Sequence, residues 1–136
     1  MSEANVWERV RNGLTAAKAI DKRLRYAHVC RVENGVVAGM PDVNYCNLGT
    51  EGHIELKHRA DRPSRIGTSV FTNRGLRDEQ VVWIYHRCKA GGRVFIATQV
   101  DDAMWLHRMS TDVVQLYNGW TFSELERRAV RSKEHG

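Results

Sequence analysis

From residue 3 to residue 20 the apolar side chains recur at helical spacing: Val6, Trp7, Val10, Leu14 and Ala17 fall on one stripe, with Ser2 placed to cap the first turn. Glu3 lies near the middle of that stripe, because Val6, Trp7, Val10 and Leu14 follow it at helical intervals, whereas Glu8 points away. An acid on a face destined for the core needs a partner there, since an unpaired buried carboxylate is costly to desolvate. The period then changes. Residues 26–33 read as a strand that ends in the turn dipeptide Asn34-Gly35, where a hairpin begins. After Gly39-Met40-Pro41, residues 42–46 read as a strand, and residues 53–58 as another beyond a loop containing Gly49 and Gly52. In the second of these, Ile54 and Leu56 alternate with Glu55 and Lys57, so period two sets the acid and the amine on one face. Residues 59–77 lose all periodicity and read as a long, basic, mobile loop carrying Arg59, Arg62, Arg65, Arg74 and Arg77. A second helix is predicted from Asp78 to Lys89, with Val81, Ile84, Tyr85 and Cys88 on one face, Gln80 at its edge and Gly91-Gly92 as its stop. Residues 93–100 follow as a buried strand and 103–109 as a short one, and a last helix capped by Thr121 or Ser123 is predicted to run to about Ser132. With no repeat, low-complexity tract or dividing linker, residues 1–136 read as a single α/β domain with a mixed central sheet flanked by helices.

Composition narrows the partners. At 136 residues and 42% hydrophobic the chain can bury a core, and 21 Lys and Arg against 16 Asp and Glu give a net charge of +5, which favours an anionic partner with nucleic acid first. Cys30, Cys46 and Cys88 are odd in number and lack Cys-x-x-Cys spacing, which fits a reduced compartment. The opening residues are acidic and then amphipathic, and no apolar run approaches the roughly 18 residues of a membrane span, so an intracellular, cytoplasmic protein is expected.

The chemistry concentrates in Pro41-Asp42, twelve further residues, and Glu55-Leu56-Lys57. Two carboxylates on adjacent strands can share a divalent cation, and hard oxygen ligands suit Mg²⁺ or Mn²⁺, which keep waters and bridge to phosphate oxygens. A metal so held activates a bound water and offsets charge on a pentacoordinate phosphorus. The Lys57 ammonium can orient that water, stabilise the phosphorane or, with a depressed pKa, take the proton, and the residues leave this choice open. Glu3 reaches the same centre if the first helix packs beside the strands, and Gln80 reaches it from the other side. The competing account of Glu55 and Lys57 is a solvated, salt-bridged strand face, and that of Gln80 is an ordinary surface glutamine. For Glu3 it is an acid favoured by the helix dipole. The six histidines contain no His-x-x-x-His pair, which disfavours a zinc site, and Trp7, Trp83, Trp105 and Trp120 read as core or interface anchors.

Gly39-Met40-Pro41-Asp42, then Glu55-Leu56-Lys57, then Gly75-Leu76 leading to Gln80 resemble the PD-(D/E)XK nucleases, and within them the VRR-NUC type. The resemblance runs from Glu3 to about Val100 and leaves residues 101–136 as a C-terminal extension. It implies a restriction-endonuclease-like αβββαβ core, with Asp42, Glu55, the Leu56 carbonyl and Glu3 as metal ligands, Lys57 as the catalytic lysine and Gln80 as an added catalytic residue. It further implies Mg²⁺ or Mn²⁺ as cofactor and a phage-type homodimer that resolves four-way DNA junctions. The loop arginines, five in 19 residues beside one acid, Asp61, point on their own account to phosphate contact, against solvation of a flexible segment. The stretch from Arg59 to Arg74 is longer than the family pattern leads one to expect. A less selective nicking or degradative nuclease, and a basic DNA-binding protein with an inactive nuclease fold, are the alternatives.

Overall fold

The computed structural model describes residues 3–32, 37–72 and 75–130, with the side chains of Glu3 and Ala4 outside the description. Helix α1 spans Glu3–Ile20 and leads, through a short 3₁₀ turn at Lys22–Leu24, into strand β1 at His28–Arg31. Strands β2 at Val43–Asn47 and β3 at Thr50–Arg59 follow, then helix α2 at Asp78–Lys89, strands β4 at Val94–Val100 and β5 at Ala103–Arg108, and helix α3 at Phe122–Arg127. The five strands form one sheet in the order β1-β2-β3-β4-β5. All neighbours are antiparallel except β3 and β4, which are parallel because the chain crosses back through α2 between them. This is the anticipated αβββαβ core and mixed sheet, with β5 added as an antiparallel edge.

Each sheet face buries its own core. On one face α1 lays Val6 against Val43, Ile54, Leu56 and Ala97, the apolar half of the alternation in β3. On the other, Ile84 of α2 packs on Val94, Ile96 and Val100 together with Val70, Phe71, Leu76, Tyr117, Trp120 and Leu125. Each fully buried side chain of this kind is worth about 1.5–3 kcal/mol relative to exposure. Among the described residues no helix is long and apolar enough to cross a membrane.

Three expectations are corrected. The strand predicted over residues 26–33 is confined to His28–Arg31, with Tyr26 exposed, and the Asn34-Gly35 turn lies outside the described residues, as does the Ser2 cap. The basic loop is not a mobile excursion: Val70 and Phe71 are buried in the α2-side core, Val70 N donates to Trp120 O at 3.0 Å, and Arg59 Nη1 donates to Val70 O at 2.8 Å. The last helix is capped by Thr121, in a capping box with Glu124, but ends at Arg127. There the chain turns back so that Val130 N donates to Leu106 O at 2.8 Å, and this tertiary bond on the β5 edge outweighs the helix propensity of the following residues.

Candidate active site

Register builds the site. Val43 pairs with Ile54, so the same register continued sets Asp42 opposite Glu55 and Pro41 opposite Leu56. Asp42 Oδ2 accepts a hydrogen bond from Leu56 N at 3.4 Å, turning the aspartate toward β3. Proline at 41 has no N–H to offer the Leu56 carbonyl across from it. Glu55 and Lys57 pair with Ile96 and Thr98, which puts both on the α2 face of the sheet. They are only 2% and 7% exposed, so a solvated strand face is ruled out.

The two side chains are held as a buried polar cluster. Lys57 Nζ lies 3.3 Å from Glu55 Oε2 and donates to Gln80 Oε1 at 3.1 Å. Gln80 Nε2 donates to the same Glu55 oxygen at 2.7 Å. The ammonium can only donate and the carboxylate only accept, so chemistry fixes which way the amide points. Gln80 Oε1 also accepts from Arg77 N at 2.9 Å, which caps the start of α2 from its third residue. The glutamine is 5% exposed and is therefore no ordinary surface residue. It ties the first turn of α2 to both strand residues.

Gly39 has a role that its place in the motif does not reveal. Its φ is +82°, and a Cβ there would collide with the backbone carbonyl of Glu79. The loop ahead of Asp42 can thus lie directly on the start of α2, and the signal in the sequence was only a glycine three residues before the aspartate. Behind the cluster, Thr98 Oγ1 bridges His107 Nδ1 at 3.0 Å and Tyr117 Oη at 2.8 Å, while His107 Nε2 is 2.7 Å from Leu125 O. Burial, with the Glu55 charge adding to it, pushes the Tyr117 phenol well above its usual range, so it keeps its proton. Burial likewise holds the His107 imidazole below its usual value.

The remaining candidates fall elsewhere. Glu3 opens α1, on the opposite face of the sheet from Glu55 and Lys57, and its side chain lies outside the description; Arg74 lies outside the described residues. Arg59 is half-buried with its guanidinium on the Val70 carbonyl. Arg77 pairs with Glu79 at 2.8 Å on the surface, Arg62 sits over the Phe122 ring with 4.3 Å from its guanidinium carbon to the centroid, and Arg65 is exposed.

Among the described residues no group of three or more His, Cys, Asp or Glu side chains converges on one point. The donor set at the site is two carboxylates and a backbone carbonyl, all hard oxygens, as Mg²⁺ or Mn²⁺ requires and tetrahedral zinc does not. Asp42, Glu55 and Leu56 therefore fit a divalent cation that takes its other ligands from water and substrate.

No family model and no curated protein sequence matches the chain. Among solved structures, a Holliday junction resolvase from the hyperthermophilic archaeon Archaeoglobus fulgidus is similar to it. The two align with a TM-score of 0.56 and 17% identity over 95% of this chain and 98% of that one, so the likeness reaches into residues 101–136. The chain therefore has the fold of that resolvase, a five-stranded mixed sheet with helices on both faces.

Proposed function

We propose that this chain is a divalent-metal-dependent DNA endonuclease of the VRR-NUC type that works inside the cell as a homodimer on branched DNA, four-way junctions first. The observation that carries the reading is the buried Glu55–Lys57–Gln80 cluster with Asp42 across from it. A surface strand has no use for an acid and an amine taken out of water, whereas phosphodiester hydrolysis needs both.

Asp42, Glu55 and the Leu56 carbonyl would hold Mg²⁺ or Mn²⁺, which would supply a water of lowered pKa and offset charge on the phosphate. The chain's own groups do the rest. Lys57 orients the attacking water and donates to the phosphorane oxygens as charge builds on them. Gln80 holds Lys57 and Glu55 in register, which makes it a positioning residue here. Glu3 belongs to the proposal as a further acid that would have to come to the metal from the first turn of α1, across the sheet from Glu55 and Lys57, and the net charge of +5 draws the polyanion in. Two symmetric cuts across a four-way junction need two active sites and so two subunits.

The deciding experiment is cleavage of a labelled four-way junction and of linear duplex of the same sequence, with Mg²⁺, with Mn²⁺ and with EDTA, alongside Lys57→Ala. Paired symmetric nicks on the junction alone, lost in EDTA and in the variant, are expected. Equal cutting of both DNAs would leave the nuclease and remove the selectivity, and binding without cutting under any metal would overturn the enzyme reading.

A further inference from the structure

The basic loop and the C-terminal extension meet in a cavity of about 230 Å³ that shares no residue with the Asp42, Glu55, Lys57 and Gln80 cluster. The residues that line it are Arg62 and Arg65, the hydroxyl-bearing Ser64, Thr68 and Ser123, and Pro63, Ile66 and Phe122. No acid lines it, and among the described ion pairs neither arginine has a carboxylate partner.

This loop segment is built rather than loose. Its return arm is fastened by Ser69 Oγ donating to Gly119 O at 2.9 Å and by a β-bridge between Ser69 and Thr121. Its tip is turned by Thr68 N donating to Arg65 O at 3.2 Å. Arg62 lies over the Phe122 ring, so the ring takes one face of the guanidinium while its in-plane N–H groups stay available to an acceptor. Two forked cations and three neutral donors around a small cavity match a singly charged group with two terminal oxygens.

Building on the nuclease reading, we propose that this cavity seats one backbone phosphodiester of the DNA, apart from the phosphate that is cut. Residues 101–136 then do more than complete the fold. Through Phe122 and Ser123 they form half of a nucleic-acid contact, which also gives the unusually long stretch after Lys57 a purpose.

The test is binding of fluorescein-labelled duplex to the full chain in EDTA, by anisotropy across a salt series, with cleavage in Mg²⁺ read in parallel. Arg62→Ala with Arg65→Ala is expected to weaken binding about tenfold or more and to reduce the salt slope by about one phosphate's worth. Ser64→Ala with Ser123→Ala removes neutral donors only, so affinity falls about three- to tenfold while the slope holds. Arg11→Ala with Lys22→Ala takes the same charge from exposed positions elsewhere and leaves affinity within about twofold of the parent. Equal losses in the two charge-removing variants, or full affinity in the arginine pair, would overturn the pocket. Wild type that binds but never cuts would instead sink the nuclease reading and leave the pocket standing.

Discussion

Lys57→Met removes the ammonium and keeps the aliphatic stem, which isolates the charge from the packing. It deletes the countercharge 3.3 Å from Glu55 Oε2 and the donor to Gln80 Oε1. Glu55 is 2% exposed, so water cannot fill in, and the carboxylate keeps only part of its support through the 2.7 Å bond from Gln80 Nε2. Breaking a buried ion pair from one side costs about 3–5 kcal/mol, and the surviving amide bond places this case near the lower end, about 3 kcal/mol. With an m-value of about 2 kcal/mol/M, the urea midpoint drops by about 1.5 M. Glu55→Gln leaves the lysine instead, whose long stem lets the charge move toward water, so its loss is about 1–2 kcal/mol. Glu55→Gln with Lys57→Met buries no charge at all and lies within about 1 kcal/mol of the parent. All three proteins lose cleavage. Equilibrium unfolding in metal-free buffer checks the stabilities. A Lys57→Met midpoint within about 0.5 M of wild type, or a double variant as unstable as the two losses added, would show that the pair is not a buried, mutually dependent one.

Other consequences follow from the same geometry. Asp42→Asn abolishes cleavage, and the rise in melting temperature that Mg²⁺ gives the parent disappears in calorimetry of the variant, because one of the two carboxylates is gone. Gly39→Ala combines a positive φ with a collision at Glu79 and lowers unfolding free energy by about 2 kcal/mol or more, with a matching fall in cleavage as Asp42 shifts from the start of α2. The imidazole of His107 is held by burial below its usual value of 6.5, with the bond to Leu125 O opposing, so the unfolded chain takes the proton first. The stability it contributes is complete above that value and is lost as pH falls through it toward the folded-state pKa. Urea midpoints measured from about pH 8 to about pH 5 decline accordingly, and the decline is shallower in His107→Gln.

Periodicity carried most of the fold because each long element satisfies a single core. Ile54 and Leu56 face α1, Ile84 faces the opposite core, and both periods are visible in the chain without knowledge of what they pack against. The same rule misleads at the site. In β3 the polar half of the alternation ordinarily faces water, yet Glu55 and Lys57 are as deeply enclosed as the apolar half, since Gln80 and the α2 turn cover them. Only the conjunction with Pro41-Asp42 singled them out, and that conjunction is chemical rather than periodic.

The basic stretch fails for a different reason. Its arginines dominate any count of composition, while the residues that anchor it, Val70, Phe71 and Leu76, show no period because they enter the core one by one against Tyr117 and Trp120. Those partners lie more than forty residues downstream, and the bond between Asn118 Oδ1 and Leu76 N at 2.8 Å is equally remote. Long-range pairing of this sort leaves no local signature. Its cost in chain entropy is met only when loop and extension fold together. The same dependence ties the extension to the core, since Trp120 and Tyr117 share one cluster with Val70, Phe71 and Leu76 of the segment between Arg59 and α2. Loss of that packing would also loosen the bond from Arg77 N to Gln80, the residue that holds Lys57 and Glu55, so the anchor of the loop and the order of the site are one structural problem.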